Sequence, residues 1–375
     1  MIAARVAAAL VLTLAGCARG TSVAVSPRDS GAPAQVRFRP AEALPVLGPD
    51  ARVDRGLRAA AEELASSATR PDARLEPGAV RVALARAGYP GDARFVRVIG
   101  SKDLPDALLA SIPRGAPVDV GWAWRDLPDG RRWWVLGWAP RTVTMDPVPR
   151  DLPLDGAFAL RADGVADGRL LVASPDGDVS EASLANRQAR WVARFQEPGE
   201  HRVEVIDGDR VVLLFSVFVE AAPPAAGALP GPVAPEAPAA AEAWFADALD
   251  ALRDRAGRPR LAPFPAFVPH ARAHGACLAT GGILAHATPR CPGVAALAKR
   301  THYPWARHHE DVAAAETAPE AWARVLASPG HLQNLQCAEC THVAIGVATD
   351  ASRIFATLEL LAFPAGEPRE IPPRR

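Results

Sequence analysis

The chain is poor in tyrosine and methionine, with two of each in 375 residues, and its charges cancel, 42 Lys and Arg against 42 Asp and Glu. A balanced surface gives no electrostatic footprint for nucleic acid or for an anionic membrane face. The chain lacks a Gly-rich phosphate loop and a Gly-x-Ser-x-Gly elbow, so the common nucleotide-binding and serine-hydrolase patterns are missing. No apolar run is long enough for a membrane-spanning helix. Residues 51–147 contain neither histidine nor cysteine, which leaves that stretch without metal-ligand or thiol chemistry. Eight of the nine histidines and four of the five cysteines fall after residue 240, so the chemistry is expected there.

What is present begins at the N-terminus. Met1 to Gly16 is a short apolar run with one charge, Arg5, and it ends in Leu14-Ala15-Gly16-Cys17. The length fits the hydrophobic region of a secretory signal. The ending resembles the bacterial lipobox, which implies diacylation of Cys17 and a lipid bilayer as partner. Ala18 stands where the inner-membrane retention signal is Asp, so the outer membrane is the expected destination. Export to an oxidising compartment turns Cys277, Cys291, Cys337 and Cys340 into two expected disulfides. Three pairings are open on paper, and the local one, Cys277 with Cys291 and Cys337 with Cys340, is preferred. Cys337-Ala-Glu-Cys340 also has the spacing of a zinc-ligand pair, but no second such pair accompanies it.

The rest divides by composition. Residues 18–50 are polar and rich in Pro and Gly, a tether. Residues 51–147 read as an α+β domain: helical spacing over Val53, Leu57, Ala60 and Leu64, a helix over Ala79–Ala87 capped by Gly88, a strand at Phe95–Ile99, a short helix at Leu104–Ile112, and strands Val118–Trp124 and Arg131–Ala139 turning at Pro128-Asp129-Gly130. The tryptophans at 122, 124, 133, 134 and 138 alternate at strand spacing and are expected to fill a sheet core. Residues 148–221 carry short β-rich runs at Phe158–Arg161, Arg169–Ala173, Trp191–Phe195, His201–Ile206 and Val211–Val219, the spacing of a small immunoglobulin-like β-sandwich used for spacing or partner contact. Residues 222–240 are almost entirely Ala, Pro and Gly, a semi-extended linker.

The C-terminal segment, 241–365, followed by a tail at 366–375, carries an ordered set of motifs. Leu249-Asp250-Ala251-Leu252-Arg253 and Gly257-Arg258-Pro259-Arg260-Leu261 come first. Ala271-Arg272-Ala273-His274, His286 and His309-Glu310-Asp311-Val312-Ala313 follow. Trp322 then precedes Ser328-Pro329-Gly330-His331-Leu332-Gln333-Asn334-Leu335, and Val343 to Ala348 with Arg353 to Phe363 reads as a closing hairpin. Together they resemble the CAP superfamily (cysteine-rich secretory, antigen 5 and pathogenesis-related 1 proteins; SCP domain), most specifically at Ser328–Leu335. The resemblance implies an α+β chain whose last third is an α-β-α sandwich. It also implies a central cleft lined by His286, Glu310 and His331, able to hold zinc or a similar divalent ion, though no cofactor is certain. The family's further acid, four or five residues after the first histidine, is replaced by Arg290 and Cys291, and a fixed cation there opposes metal binding.

The expected function is therefore a lipid-anchored, extracytoplasmic binding module for an envelope lipid, glycan or protein, with no catalytic residue assigned. A metal-assisted hydrolase using the same three residues and a structural envelope lipoprotein are the alternatives. His302, His308 and His309 are expected on exposed loops, with a His308–His309 pair beside Glu310 as an alternative ion site. His274 is expected on a helix face near the cleft or core. Finally, Val118-Asp119-Val120-Gly121-Trp122-Ala123 echoes Val343-Ala344-Ile345-Gly346-Val347-Ala348, so residues 51–147 are expected to be a degenerate copy of the C-terminal fold.

Overall fold

The computed structural model describes residues 47, 50–91, 93–100, 105–145, 148–149, 151–165, 167–185, 188–208, 210–234, 236–282, 284–293 and 303–364. The signal segment, Cys17, most of the 18–50 tether, His302 and the 366–375 tail lie outside these residues. No helix among them is long and apolar enough to cross a membrane.

The first unit is α+β. Strand β1 (Ala51–Val53) leads into α1 (Arg55–Ser67), whose first turn is capped by Asp54, its carboxylate accepting from the N–H groups of Gly56 and Leu57. Helix α2 (Pro77–Ala87) stops at Gly88, which takes the left-handed φ of 66° that a side chain would resist. Strand β2 (Arg94–Gly100) and the short α3 (Asp106–Leu109) precede the hairpin of β3 (Val118–Asp126) and β4 (Arg132–Pro140). The sheet runs β1-β3-β4-β2, with β1 parallel to β3 and the rest antiparallel. One face packs on α1 and α2 through Ala123, Trp133 and Val135; the other, rich in Trp122, Trp124, Trp134 and Trp138, packs on Leu108 and Ile112.

The second unit is a β-sandwich of seven strands: β5 (Thr144–Met145), β6 (Ala157–Asp163), β7 (Asp167–Ala173), β8 (Val179–Ala185), β9 (Gln188–Arg194), β10 (Gly199–Asp207) and β11 (Arg210–Val219). Their sheets, β5-β6-β9 and β11-β10-β7-β8, form the two-sheet immunoglobulin-like arrangement. Strand β8 is additional to the strands read from sequence. Among its described residues the segment that follows has no regular structure up to Pro238, but it is pinned to the first unit. Leu229 is buried in that unit's core and donates its N–H to Ser67, and Arg74 donates to Pro230 and Gly231. The linker is also shorter than composition suggests, because α4 (Pro238–Arg255) starts within it, with proline in its first turn.

The third unit repeats the first. Strand β12 (Ala262–Pro263), α5 (Val268–Gly281), β13 (Arg307–Ala315), α6 (Ala318–Ala327), α7 (Pro329–Leu335), β14 (His342–Thr349) and β15 (Ile354–Ala362) follow one another. The sheet runs β12-β14-β15-β13, again with the first pair parallel and the others antiparallel. Gly346 in β14 lies against the α5 backbone at Ala271 and Arg272, where an added Cβ would come within 2.2 Å of a backbone atom. Gly121 in β3 meets the α1 backbone at Leu57 and Arg58 in the same way, at 2.3 Å. The echo between the two hairpins therefore marks one helix-on-strand contact used twice, close enough that only glycine fits. Helix α5 covers one face of the third sheet through Leu278, Val312, Ala314 and Phe355. Helices α4, α6 and α7 cover the other through Phe245, Trp322, Leu332, Leu335 and Leu358, making three layers.

Candidate functional site

The site forms at the open edge of the third sheet, where β13 is the edge strand. Side chains of a strand alternate between faces, so His308, Glu310 and Val312 turn toward α5 while His309 and Asp311 turn toward α7. This corrects the sequence reading of His308 and His309 in two ways. They lie on a strand rather than on loops, and as neighbours on opposite faces they do not form a pair.

On the α5 face, Glu310 stands directly across from Glu359 of β15. Its Oε1 bonds His286 Nδ1 at 2.9 Å, and its Oε2 lies 3.7 Å from Nε2 of buried His274. His286 reaches it from the loop after α5. That helix ends at left-handed Gly282, and the Cys277–Cys291 disulfide returns the loop to the helix. Closing a loop of this length is worth about 3 kcal/mol in chain entropy. Burial opposes the charge on Glu310, but the hydrogen bond with His286 and the two imidazoles outweigh it, and its pKa lies below the ordinary carboxylate value. Glu359 is fully buried. Burial, together with the Glu310 charge facing it, raises its pKa well above the usual range. His308 Nε2 bonds Glu359 Oε2 at 2.6 Å, and burial lowers the His308 pKa to about 4. The protonated form of Glu359 is thus favoured against a neutral His308, and the ionised form of Glu310 is favoured across from it.

On the α7 side, Ser328 caps the helix, its hydroxyl oxygen accepting from the N–H of His331 at 3.1 Å. That hydroxyl donates to Glu204 of β10, which also accepts from the Gly330 N–H at 2.6 Å. Ser328 is therefore a structural residue, tied to a buried acid of the β-sandwich. His331 projects beside His286, with ring centroids 6.1 Å apart and planes at 75°. Burial lowers its pKa to about 4, so it is neutral. Asn334 donates to Asp311 Oδ1 at 2.8 Å, and burial pushes the Asp311 pKa up to about 8.

The structure thus brings His286, Glu310 and His331 to one place. Arg290, at the position of the missing acid, is exposed, and Cys291 is in its disulfide. A second acid enters the cluster from elsewhere in the chain, as Glu359. Sequence reasoning missed it, although the lone charged residue of the mostly apolar strand Ile354–Ala362, buried along its whole length, is the signal that finds it. Glu204 and Asp311 were missed as well. Among the described residues, both nitrogens of His274, Nδ1 of His331 and Oδ2 of Asp311 have no hydrogen-bond partner, while the carboxyl groups of Glu310 and Glu359 bond each other.

The first unit shows the same positions without this chemistry. Matching Gly121 to Gly346 and following the strand registers sets Ala60, Ala93 and Ala139 at the places of His274, Glu310 and Glu359. All three alanines are buried in that unit's core.

A divalent ion held by His286, Glu310 and His331 does not fit this geometry well. The ligand atoms that gather closely enough for a metal, among the described residues, are those of His309, Cys337 and Cys340. Glu310 instead commits Oε1 to His286.

No family model and no curated protein matches the chain. Solved structures do. An extracellular SCP-domain protein from Bacillus anthracis is 16% identical over 59% of this chain and 67% of its own, with a TM-score of 0.32. A cysteine-rich secretory protein from Staphylococcus aureus is 12% identical over 54% and 77%, with a TM-score of 0.29. An outer surface protein from Borrelia burgdorferi is 12% identical over 33% and 93%, with a TM-score of 0.30. The first and second bear the names of the class whose motifs the last third of this chain resembles. TM-scores near 0.3 are too low to rest a function on.

Proposed function

We propose that the protein is a lipid-anchored envelope protein whose C-terminal domain is an extracytoplasmic binding module. Its cleft at His286, Glu310 and His331, backed by the buried His274 and Glu359, takes a hydroxyl-rich ligand, an envelope glycan, without catalysis. One observation carries this reading: His286, with about half of its side chain exposed, bonds Glu310 and stands beside His331, so polar groups from three segments meet where solvent reaches them. The set mixes a carboxylate acceptor at Glu310 with imidazoles, each of which in its neutral form has one donor and one acceptor nitrogen. Hydroxyl groups both donate and accept, and so match such a set. The export and anchor part of the reading is supported by Leu14-Ala15-Gly16-Cys17.

The hydrolase alternative requires a metal that the three residues do not gather to hold. Metal analysis of the non-reduced, full-length protein separates the two readings. No zinc dependent on the cleft is expected. One equivalent per chain, lost in His286→Ala and in His331→Ala, would overturn the binding reading in favour of the enzyme.

A further inference from the structure

Helix α7 ends at Leu335, and the chain then turns through Cys337-Ala338-Glu339-Cys340 before β14. In the structure the two cysteines form a disulfide, with Cα atoms 5.4 Å apart. His309 of β13 turns to this side of the sheet, and its imidazole nitrogen and both sulfur atoms lie within 4.8 Å of one another. A tetrahedral zinc ion with bonds of about 2.3 Å to sulfur and about 2.0 Å to nitrogen sets its ligand atoms about 3.5–3.8 Å apart. The three atoms are therefore already close to a metal-binding spacing, and breaking the S–S bond lets the sulfurs separate by the remaining distance.

The surroundings favour thiolates. The Cys340 N–H points at Cys337 Sγ from 3.1 Å, a donor that a negative sulfur accepts best. Arg253 is fully buried and donates to the Cys337 carbonyl at 3.2 Å, placing a fixed positive charge beside the pair. One of its guanidinium nitrogens has no partner. A neighbouring cation lowers a thiol's pKa. The neutral imidazole of His309 has a lone pair to give, and its ring nitrogen is the one within reach of both sulfurs. Glu339, whose Oε2 is 3.8 Å from Cys337 Sγ, stands at the exposed rim, where a fourth ligand would sit.

We propose that Cys337, Cys340 and His309 form a redox-gated site for a thiophilic divalent cation such as zinc, with Glu339 or water as the fourth ligand. An external dithiol supplies two electrons and two protons, the disulfide opens to two thiols, and the dithiol leaves as its own disulfide. Metal binding then releases both thiol protons, while His309 coordinates as the neutral imidazole. The oxidised form has no thiolates and does not bind. This site lies on the α7 face and is separate from the cleft, so it stands or falls independently of the function proposed above.

The test is cobalt titration of the full-length protein, oxidised and after reduction with a phosphine. The reduced protein is expected to bind one equivalent with thiolate-to-cobalt charge-transfer absorption, which zinc displaces. The oxidised protein shows none. Cys277→Ser/Cys291→Ser keeps the band, Cys337→Ser/Cys340→Ser abolishes it, and His309→Ala weakens binding at least about tenfold. Absence of the band after reduction overturns the proposal, and so does unchanged affinity in His309→Ala. Should the cysteine variants misfold by circular dichroism, His309→Ala, which keeps both sulfurs, decides alone.

Discussion

Asp311 shows how a single buried group sets pH dependence. Its pKa is about 8 in the folded protein against 3.8 as a free side chain, so between these values the folded state holds a proton that the unfolded state has lost. Its contribution to stability is fully present below about pH 4 and is lost as pH rises toward 8, at no more than about 1.4 kcal/mol per pH unit. His308 and His331, lowered to about 4, act in the opposite sense, withdrawing stability as pH falls from 6.5. The Asp311 term is isolated by comparison with Asp311→Asn. Denaturation at pH 5 and pH 8 should show the variant gaining on the wild type as pH rises, and a constant difference would refute the assignment. At this scale Glu310 and His331 were legible in the sequence because they sit in recognisable motifs, and His286 from its place in the order of those motifs. Glu359 was not, because its partner lies 49 positions away and only the β13–β15 register brings the two together.

Among the elements, α7 is the one on which the cleft most depends. It is seven residues long, too short to hold itself, and its N-terminus is satisfied by Ser328 within the domain and by Glu204 from the β-sandwich. Burial raises the Glu204 pKa, and the Gly330 N–H and Ser328 hydroxyl work against that rise. Glu204→Ala should therefore cost about 1–3 kcal/mol. It should also speed amide hydrogen exchange in Gly330–Leu335 while leaving β3 and β4 protected. Uniform exchange would show that the sandwich does not support the cleft. The hairpin at Pro128-Asp129-Gly130 could be read from sequence because left-handed Gly130, at φ 80°, gives a local turn signal. Strand β8, Val-Ser-Glu-Ala-Ser-Leu-Ala, could not, since it lacks an apolar alternation and gains its place by pairing with β7.

Across the whole molecule, the architecture is used twice and the polar cluster once. Ala60, Ala93 and Ala139 fill in the first unit the positions that His274, Glu310 and Glu359 occupy in the third. At these three positions the layers therefore close without charge, and a cluster of acids and imidazoles is not needed for the fold; such groups are costly to bury unless they are matched, as Asp119 of β3 is by Arg52 and Arg141. The upstream units instead brace the domain that carries the cluster. Arg74 of the first unit pairs with buried Glu320 of α6, Arg202 of β10 donates to Leu326, and Gln336 donates to Gly177 of the sandwich. This bracing was invisible in the sequence, where the Ala/Pro/Gly segment reads as a free linker. The central claim is that the cleft exists to bind a hydroxyl-rich ligand. Calorimetric titration of the full-length protein with a soluble cell-wall disaccharide-peptide tests it most directly. Saturable one-to-one binding is expected, weakened at least about tenfold, or about 1.4 kcal/mol, in a folded Glu310→Gln/His331→Ala variant; no binding by the wild type, or equal binding by the variant, would contradict it.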